Sequence, residues 1–269
     1  MGMRYSSGFT IIETVLFLSV TGLLVLGVLI GTGAAINNQR YRDATESFKS
    51  ILQEQYSAVE SVRNGRENTW GCDGAAQTVE DGRTIRGQSD CIIVGRYIKI
   101  NADTIDAYPV LARQTSDTER ANDILSLRQN YNYAVSEVEG NSKKMEWGTE
   151  IAWPAQGTGY QAVRTPRTFS MLILRSPESG AVYTFTNTTI PENGAMPSPV
   201  ALAEMIQAGE VDVPGKSQGQ GKRTLCVITN GIIPTGETAV FISAYASGAS
   251  AIETRSNDLM KSFGETTQC

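Results

Sequence analysis

From Phe9 to Ile36 the chain is almost unbroken apolar sequence, and Glu13 is its one charged residue. No charge falls between Thr14 and Ile36. At about 1.5 Å per residue that run is long enough for a helix across a hydrocarbon layer of about 30 Å. Asn37, Asn38, Gln39, Arg40, Arg42 and Asp43 then mark an abrupt return to water. Beyond them the pattern becomes periodic. Tyr41, Ala44, Phe48, Ile51, Leu52, Gln55, Val59 and Val62 recur every three to four residues, while Arg42, Asp43, Glu46, Lys49, Glu54 and Glu60 largely take the other positions. The spacing predicts one helix from Phe9 to about Arg63, on the order of 80 Å long. Asn64-Gly65 is the expected stop, since glycine relieves the left-handed conformation at a helix end. The second half of this helix has no lipid to cover it, so its stripe must pack on the protein's own head.

After Gly65 the period shortens to that of strands. Cys91 to Ile100 is apolar and β-branched, with Gly95 a candidate bulge. Thr168 to Leu174 and Ala181 to Thr186 flank a turn-rich segment, Arg175 to Gly180, that reads as a hairpin. Thr224 to Ile233 and Thr238 to Ala246 flank Pro234 to Glu237 in the same way. Short helices are expected over Asp117–Leu127 and Pro199–Ala208, with a weaker helical pattern over Glu253–Phe263. Asn141 to Arg167 and Val213 to Arg223 read as surface loops. The fold class is therefore α+β: a long N-terminal helix, half membrane-like and half amphipathic, packed on an antiparallel sheet. Its parts are 1–8, 9–36 (membrane helix), 37–64 (amphipathic half) and 65–269 (a β-rich head).

Composition narrows the chemistry. The formal charge is -5, so a broad electrostatic hold on DNA is not expected. The chain contains no histidine, which removes the commonest general base and the commonest metal ligand. No phosphate-binding loop or EF-hand pattern is present. Asp117 and Glu119 lie close together, but a solvated helix start accounts for them. The expectation is a protein that is not an enzyme and holds no cofactor or metal. Four cysteines, Cys72, Cys91, Cys226 and Cys269, lack the spacing of a zinc site. In an exported protein they would form disulfides, and three connectivities are open. Nearest-neighbour pairing, Cys72 with Cys91 and Cys226 with Cys269, is preferred.

Gly8-Phe9-Thr10-Ile11-Ile12-Glu13, followed by Thr14-Val15-Leu16, resembles the processing motif of type IV prepilins and pseudopilins. The resemblance implies that residues 1–8 are a leader, cut between Gly8 and Phe9 on the cytoplasmic face by a prepilin peptidase. It implies N-methylation of the new Phe9 amine, and a role for Glu13 in guiding the subunit into a filament. There its carboxylate can meet the Phe9 amine of a neighbour, relieving two desolvated charges together. The long helix with its head corresponds to the ladle shape of pilins. One departure is that no proline interrupts Phe9 to Ile36; Gly22, Gly27, Gly31 and Gly33 stand in the segment instead. They allow either local melting or close helix approach, and glycine is also ordinary in membrane helices.

Other readings of the segment stay open. Ala34 and Ala35 could serve an ordinary secretory signal, and a plain membrane anchor is a second possibility. Thr10-x-x-Glu13 is also a capping box, with a carboxylate favoured near a helix start. The implied function is a major or minor pilin of a type IV pilus; the alternative is a pseudopilin of a type II secretion or competence system. A membrane-anchored enzyme or receptor is a third class. Implied partners are other pilins in a homo- or hetero-polymer, the prepilin peptidase and the inner-membrane assembly platform. The implied location is the cytoplasmic membrane before assembly and an extracellular filament after it. A surface ligand could meet the head through its loops, where Trp70, Trp147, Trp153 and Tyr160 are adhesion candidates. Residues 101–165, beyond what a minimal head needs, are where such a function is expected. Lys143, Lys144, Lys216, Lys222 and Arg223 are candidates for a small basic patch, with a solvated face as the simpler account.

Overall fold

Thr10 caps the first helix, α1 (Ile11–Ser61), which runs without a break for 51 residues, or about 77 Å. The computed structural model describes residues 10–62, 70–80, 88–152, 168–187, 196–207, 218–229, 238–256, 259–260 and 269. Gly8, Phe9 and the expected stop at Asn64-Gly65 lie outside them. The helix ends two residues before the expected Arg63, and Val62 itself takes the left-handed conformation (φ 40°, ψ 64°). A β-branched residue is an unusual occupant of that region.

The described part of the head is built on antiparallel sheet. A small hairpin pairs β1 (Trp70–Cys72) with β2 (Thr78–Glu80). The large sheet contains β3 (Cys91–Asn101), β4 (Thr104–Gln114), β5 (Tyr131–Val135), β6 (Asn141–Lys144), β8 (Thr168–Arg175), β9 (Val182–Asn187) and β10 (Gln218–Gly219). Its order is β10-β9-β8-β3-β4-β5, with β6 also beside β4. A second sheet has the order β13-β12-β11-β7, from β7 (Thr149–Ala152), β11 (Arg223–Thr229), β12 (Thr238–Ile242) and β13 (Ile252–Ser256). The described residues also include two short α-helices, α2 (Asp123–Gln129) and α3 (Pro199–Gln207).

The soluble half of α1 is the centre of the main core. Tyr41, Phe48, Leu52, Tyr56 and Val59 pack with Ile98, Ile100, Ile105, Phe169, Met171 and Ile173 of the large sheet. The same cluster takes in Ile151, Leu225, Val227, Val240, Ile242 and Ile252 of the second sheet. Because strand side chains alternate, the large sheet has an equally apolar second face. Val94, Tyr97, Val110, Leu172, Leu174 and Phe185 lie there under Leu202, Met205 and Ile206 of α3.

Two local details fix β3 and β4. The register shifts between Ile93 and Gly95, and a Cβ on Gly95 would stand 2.0 Å from the Ile173 carbonyl oxygen. Only glycine lets β8 approach that closely. In β4, residues 104–107 pair with β6 and residues 110–114 pair with β5. Pro109, which has no N–H to donate, falls in the gap between those partners.

Both nearest-neighbour disulfides are present. Cys72–Cys91 ties the β1–β2 hairpin to β3, and Cys226–Cys269 ties the last residue to β11. They close loops with separations of 19 and 43 residues. In the chain-entropy description that stabilises the fold by about 3 and about 4 kcal/mol.

Several sequence expectations are corrected. Helix α2 begins at Asp123, not Asp117, because the Asn122 side chain accepts from Leu125 N–H at 2.9 Å. Asp117 and Glu119 are exposed in the preceding segment. Residues 253–256 are strand, not helix, paired with β12 through Phe241–Glu253 to Thr238–Ser256. The 141–167 loop contains β6 and β7 before residues 153–167 leave the described set. Much of 101–165 is structural: β4 runs through the middle of the large sheet, and β5 and β6 extend it.

Candidate functional site

The unusual surface of this protein is the first half of α1. Phe17 is 66 % exposed and Phe48, on the same helix, is 0 % exposed. Among the described residues nothing packs on the large apolar side chains from Ile11 through Ile36, Leu23 and Ile30 included. A soluble monomer seldom leaves a patch of that extent in water. By length and composition the helix can cross a membrane.

Its polar side chains are already satisfied internally. Ser19 Oγ donates to the Val15 carbonyl at 2.8 Å, Thr21 Oγ1 to Phe17 at 2.8 Å, and Thr32 Oγ1 to Val28 at 2.9 Å. A helix in hydrocarbon needs that arrangement, since no water is there to take the hydroxyl proton. A Cβ at Gly22, Gly27, Gly31 or Gly33 would meet nothing within 4 Å. Among the described residues nothing requires these glycines.

Glu13 closes a capping box. Its carboxylate accepts from Thr10 N–H and Thr10 Oγ1, both at 2.9 Å, while its own N–H donates to Thr10 Oγ1 at 3.3 Å. Both Thr10 and Glu13 are exposed. The local capping role is thus realised in the single chain. Its geometry leaves the carboxylate at the surface, where a second group can reach it.

The second half of α1 is stitched to the head along its length. Tyr41 Oη donates to the Thr238 carbonyl and accepts from Thr238 N–H, each at 3.1 Å. Gln53 Nε2 donates to the Ala249 and Ile252 carbonyls at 3.1 and 3.3 Å. Thr254 Oγ1 donates to Glu46 at 2.7 Å, and that bond, with Lys49, holds the Glu46 carboxyl below its ordinary range against partial burial. Lys143 reaches Glu54 at 2.6 Å. Arg175 donates to the Glu60 carbonyl at 3.2 Å, placing a cation at the helix C-terminus, where the helix dipole favours it. Tyr56 is buried and shares a 2.8 Å hydrogen bond with Thr184 Oγ1; burial pushes its phenol up to about 12.

The aromatic candidates separate. Trp70 is half-buried in β1, Trp147 is exposed, and Trp153 and Tyr160 lie outside the described residues. Trp147 sits at the apex of a 3-10 turn (Glu146–Gly148) with φ 57° and ψ 25°. That left-handed conformation costs about 1–2 kcal/mol for a residue with a Cβ. The Arg40 guanidinium lies 4.9 Å from the centre of its ring. No sequence signal could pair residues so far apart in the chain.

The basic candidates have separate partners. Lys143 pairs with Glu54 and Lys144 with Asp103, while Lys222 lies over the Phe241 ring and Arg223 Nε donates to Thr186. Lys216 lies outside the described residues. Elsewhere, Asp123 accepts from Ser176 and Ser179 hydroxyls at 2.5 Å and from Tyr183 Oη at 2.9 Å, locking α2 to the β8–β9 turn. Among the described residues no group of three His, Cys, Asp or Glu side chains is placed to hold a metal. No protein-family profile, curated protein or solved structure matches the chain.

Proposed function

We propose that this chain is a structural subunit of a type IV pilin-like filament, made with a leader that is removed between Gly8 and Phe9. The observation that carries the reading is one unbroken helix with two solvents. Its first half is apolar and uncovered, and its second half is the core of an antiparallel head. A bilayer covers the first half before assembly, and the same half of neighbouring subunits covers it afterwards. Transfer from lipid to a helical bundle changes the apolar surroundings little, so close packing has to supply the association. Gly22, Gly27, Gly31 and Gly33 permit backbones to approach. Glu13 is held by Thr10 in the lone subunit, and in the filament its carboxylate turns to the Phe9 amine of a neighbour.

The test is the fate of a Glu13→Ala subunit. It is expected in the membrane fraction in ordinary amount and depleted from filaments sheared off the cell surface. Unchanged incorporation would remove the assembly role from Glu13. Absence of the wild-type subunit from any surface or periplasmic filament would overturn the reading as a whole.

A further inference from the structure

We propose that Trp147 and Arg40 form a seat that rests the head on the phospholipid headgroup layer while the subunit waits in the membrane. The inference rests on α1 spanning that membrane, as proposed above. It deepens that reading by naming the part of the head that meets lipid.

Position is the first argument. Ile36 ends the apolar run, and Arg40 follows one turn later, about 6 Å along the axis. The headgroup region adds about 5–8 Å on each side of the hydrocarbon core, so Arg40 falls at phosphate level when Ile36 sits at the boundary. Trp147 stands beside Arg40, 4.9 Å from guanidinium to ring centre, and so shares that depth. Tryptophan favours this level of a bilayer, where an apolar ring and a polar N–H are both accommodated.

The loop supplies the second argument. Met145 is 6 % exposed, and its N–H donates to the Asp103 carbonyl at 2.7 Å. Thr149 is 0 % exposed, and its hydroxyl donates to the Glu146 carbonyl at 2.8 Å. Between these two anchors Trp147 is 56 % exposed in a left-handed conformation. A buried frame therefore holds a large ring outward, and the head gains no core from it. A mobile loop would not hold the ring at a fixed depth; this one is pinned at both ends.

Charge chooses the kind of lipid contact. Arg40 and Arg42 are offset by Asp43 and Glu146 on the same rim, and Asp43 accepts from Gln39 at 2.8 Å. These four described residues carry no net positive charge. Recognition is then of a phosphate by the planar donors of Arg40, with the indole at the glycerol level, in zwitterionic lipid as well as anionic.

The experiment uses the full-length chain in phosphatidylcholine vesicles whose lipids carry bromine either near the glycerol or near the chain end. Three chains are compared: wild type, Trp147→Phe, and Leu24→Trp as a reporter of the spanning helix. Wild-type tryptophan emission should be quenched more by the shallow bromines, and Trp147→Phe should lose that component. Leu24→Trp should add quenching by the deep bromines. Deep quenching of Leu24→Trp, with shallow quenching absent from the wild type or unchanged in Trp147→Phe, overturns the seat and leaves the spanning helix standing. Without deep quenching of Leu24→Trp the spanning reading fails, and the seat falls with it.

Discussion

The two halves of α1 have the same backbone and opposite surroundings. Residues 11–36 carry apolar side chains that nothing among the described residues covers, whereas Tyr41, Phe48, Leu52, Tyr56 and Val59 are the centre of the head's core. The boundary is sharp because Tyr41 is the first buried side chain of α1, held through both polar groups of Thr238. The comparison teaches that hydrophobicity alone does not define a core. What matters is periodicity: an apolar surface all around the helix calls for a solvent other than water, and an apolar stripe calls for a sheet.

The largest contrast is expected between two phenylalanines. Phe48→Ala should destabilise the head by about 3–5 kcal/mol, read as a lowered melting temperature of the full chain in detergent. Phe17→Ala in the same assay should leave that melting temperature unchanged. Equal effects would mean that the exposed half packs on the head after all.

A pH titration sharpens the same contrast. The Tyr56 phenol is raised to about 12 when folded and ordinary when unfolded, so the folded state holds its proton more tightly. Its contribution is complete below pH of about 10, and is lost as pH rises from there toward about 12. That loss reaches about 2–3 kcal/mol, and the fall should be shallower in Tyr56→Phe. An unchanged alkaline slope in Tyr56→Phe would show that this phenol is not what couples the helix to pH.

Thr10→Ala removes the cap and should weaken the first turn of α1 by about 1 kcal/mol. Faster amide exchange near Ile11 to Thr14, with no change at Phe48, is the expected pattern. Lys143→Ala removes an exposed ion pair to Glu54 and should shift the melting temperature by the equivalent of at most about 1 kcal/mol. A larger shift would place this contact among the main fastenings of helix to head.

Much of this was legible in the chain. The division of α1 followed from where charge returns at Arg40, and the stripe from Tyr41 to Val59 anticipated the buried face. Thr45 and Tyr56 were missed because a hydroxyl disguises a buried position; both find partners, Tyr41 carbonyl and Thr184. The β8–β9 hairpin was plain because its turn residues are strong. Strand β4 was hidden by Asp106, Pro109 and Arg113, which break its alternation. Lys99, opposite Asp106, makes that charge tolerable at 3.6 Å, and the gap between β5 and β6 makes the proline tolerable. Residues 253–256 looked helical by composition, but pairing with β12 overrides so short a preference. The site itself divided in the same way. Glu13 and the apolar run were readable, being local, while Trp147 over Arg40 depends on the tertiary fold.

The central claim is tested most directly by mass spectrometry of the mature chain's N-terminus, recovered from membranes and from sheared surface material. The account predicts a chain beginning at Phe9 with a methylated amine. A chain that keeps Met1, or one that begins near Asn37, would contradict it.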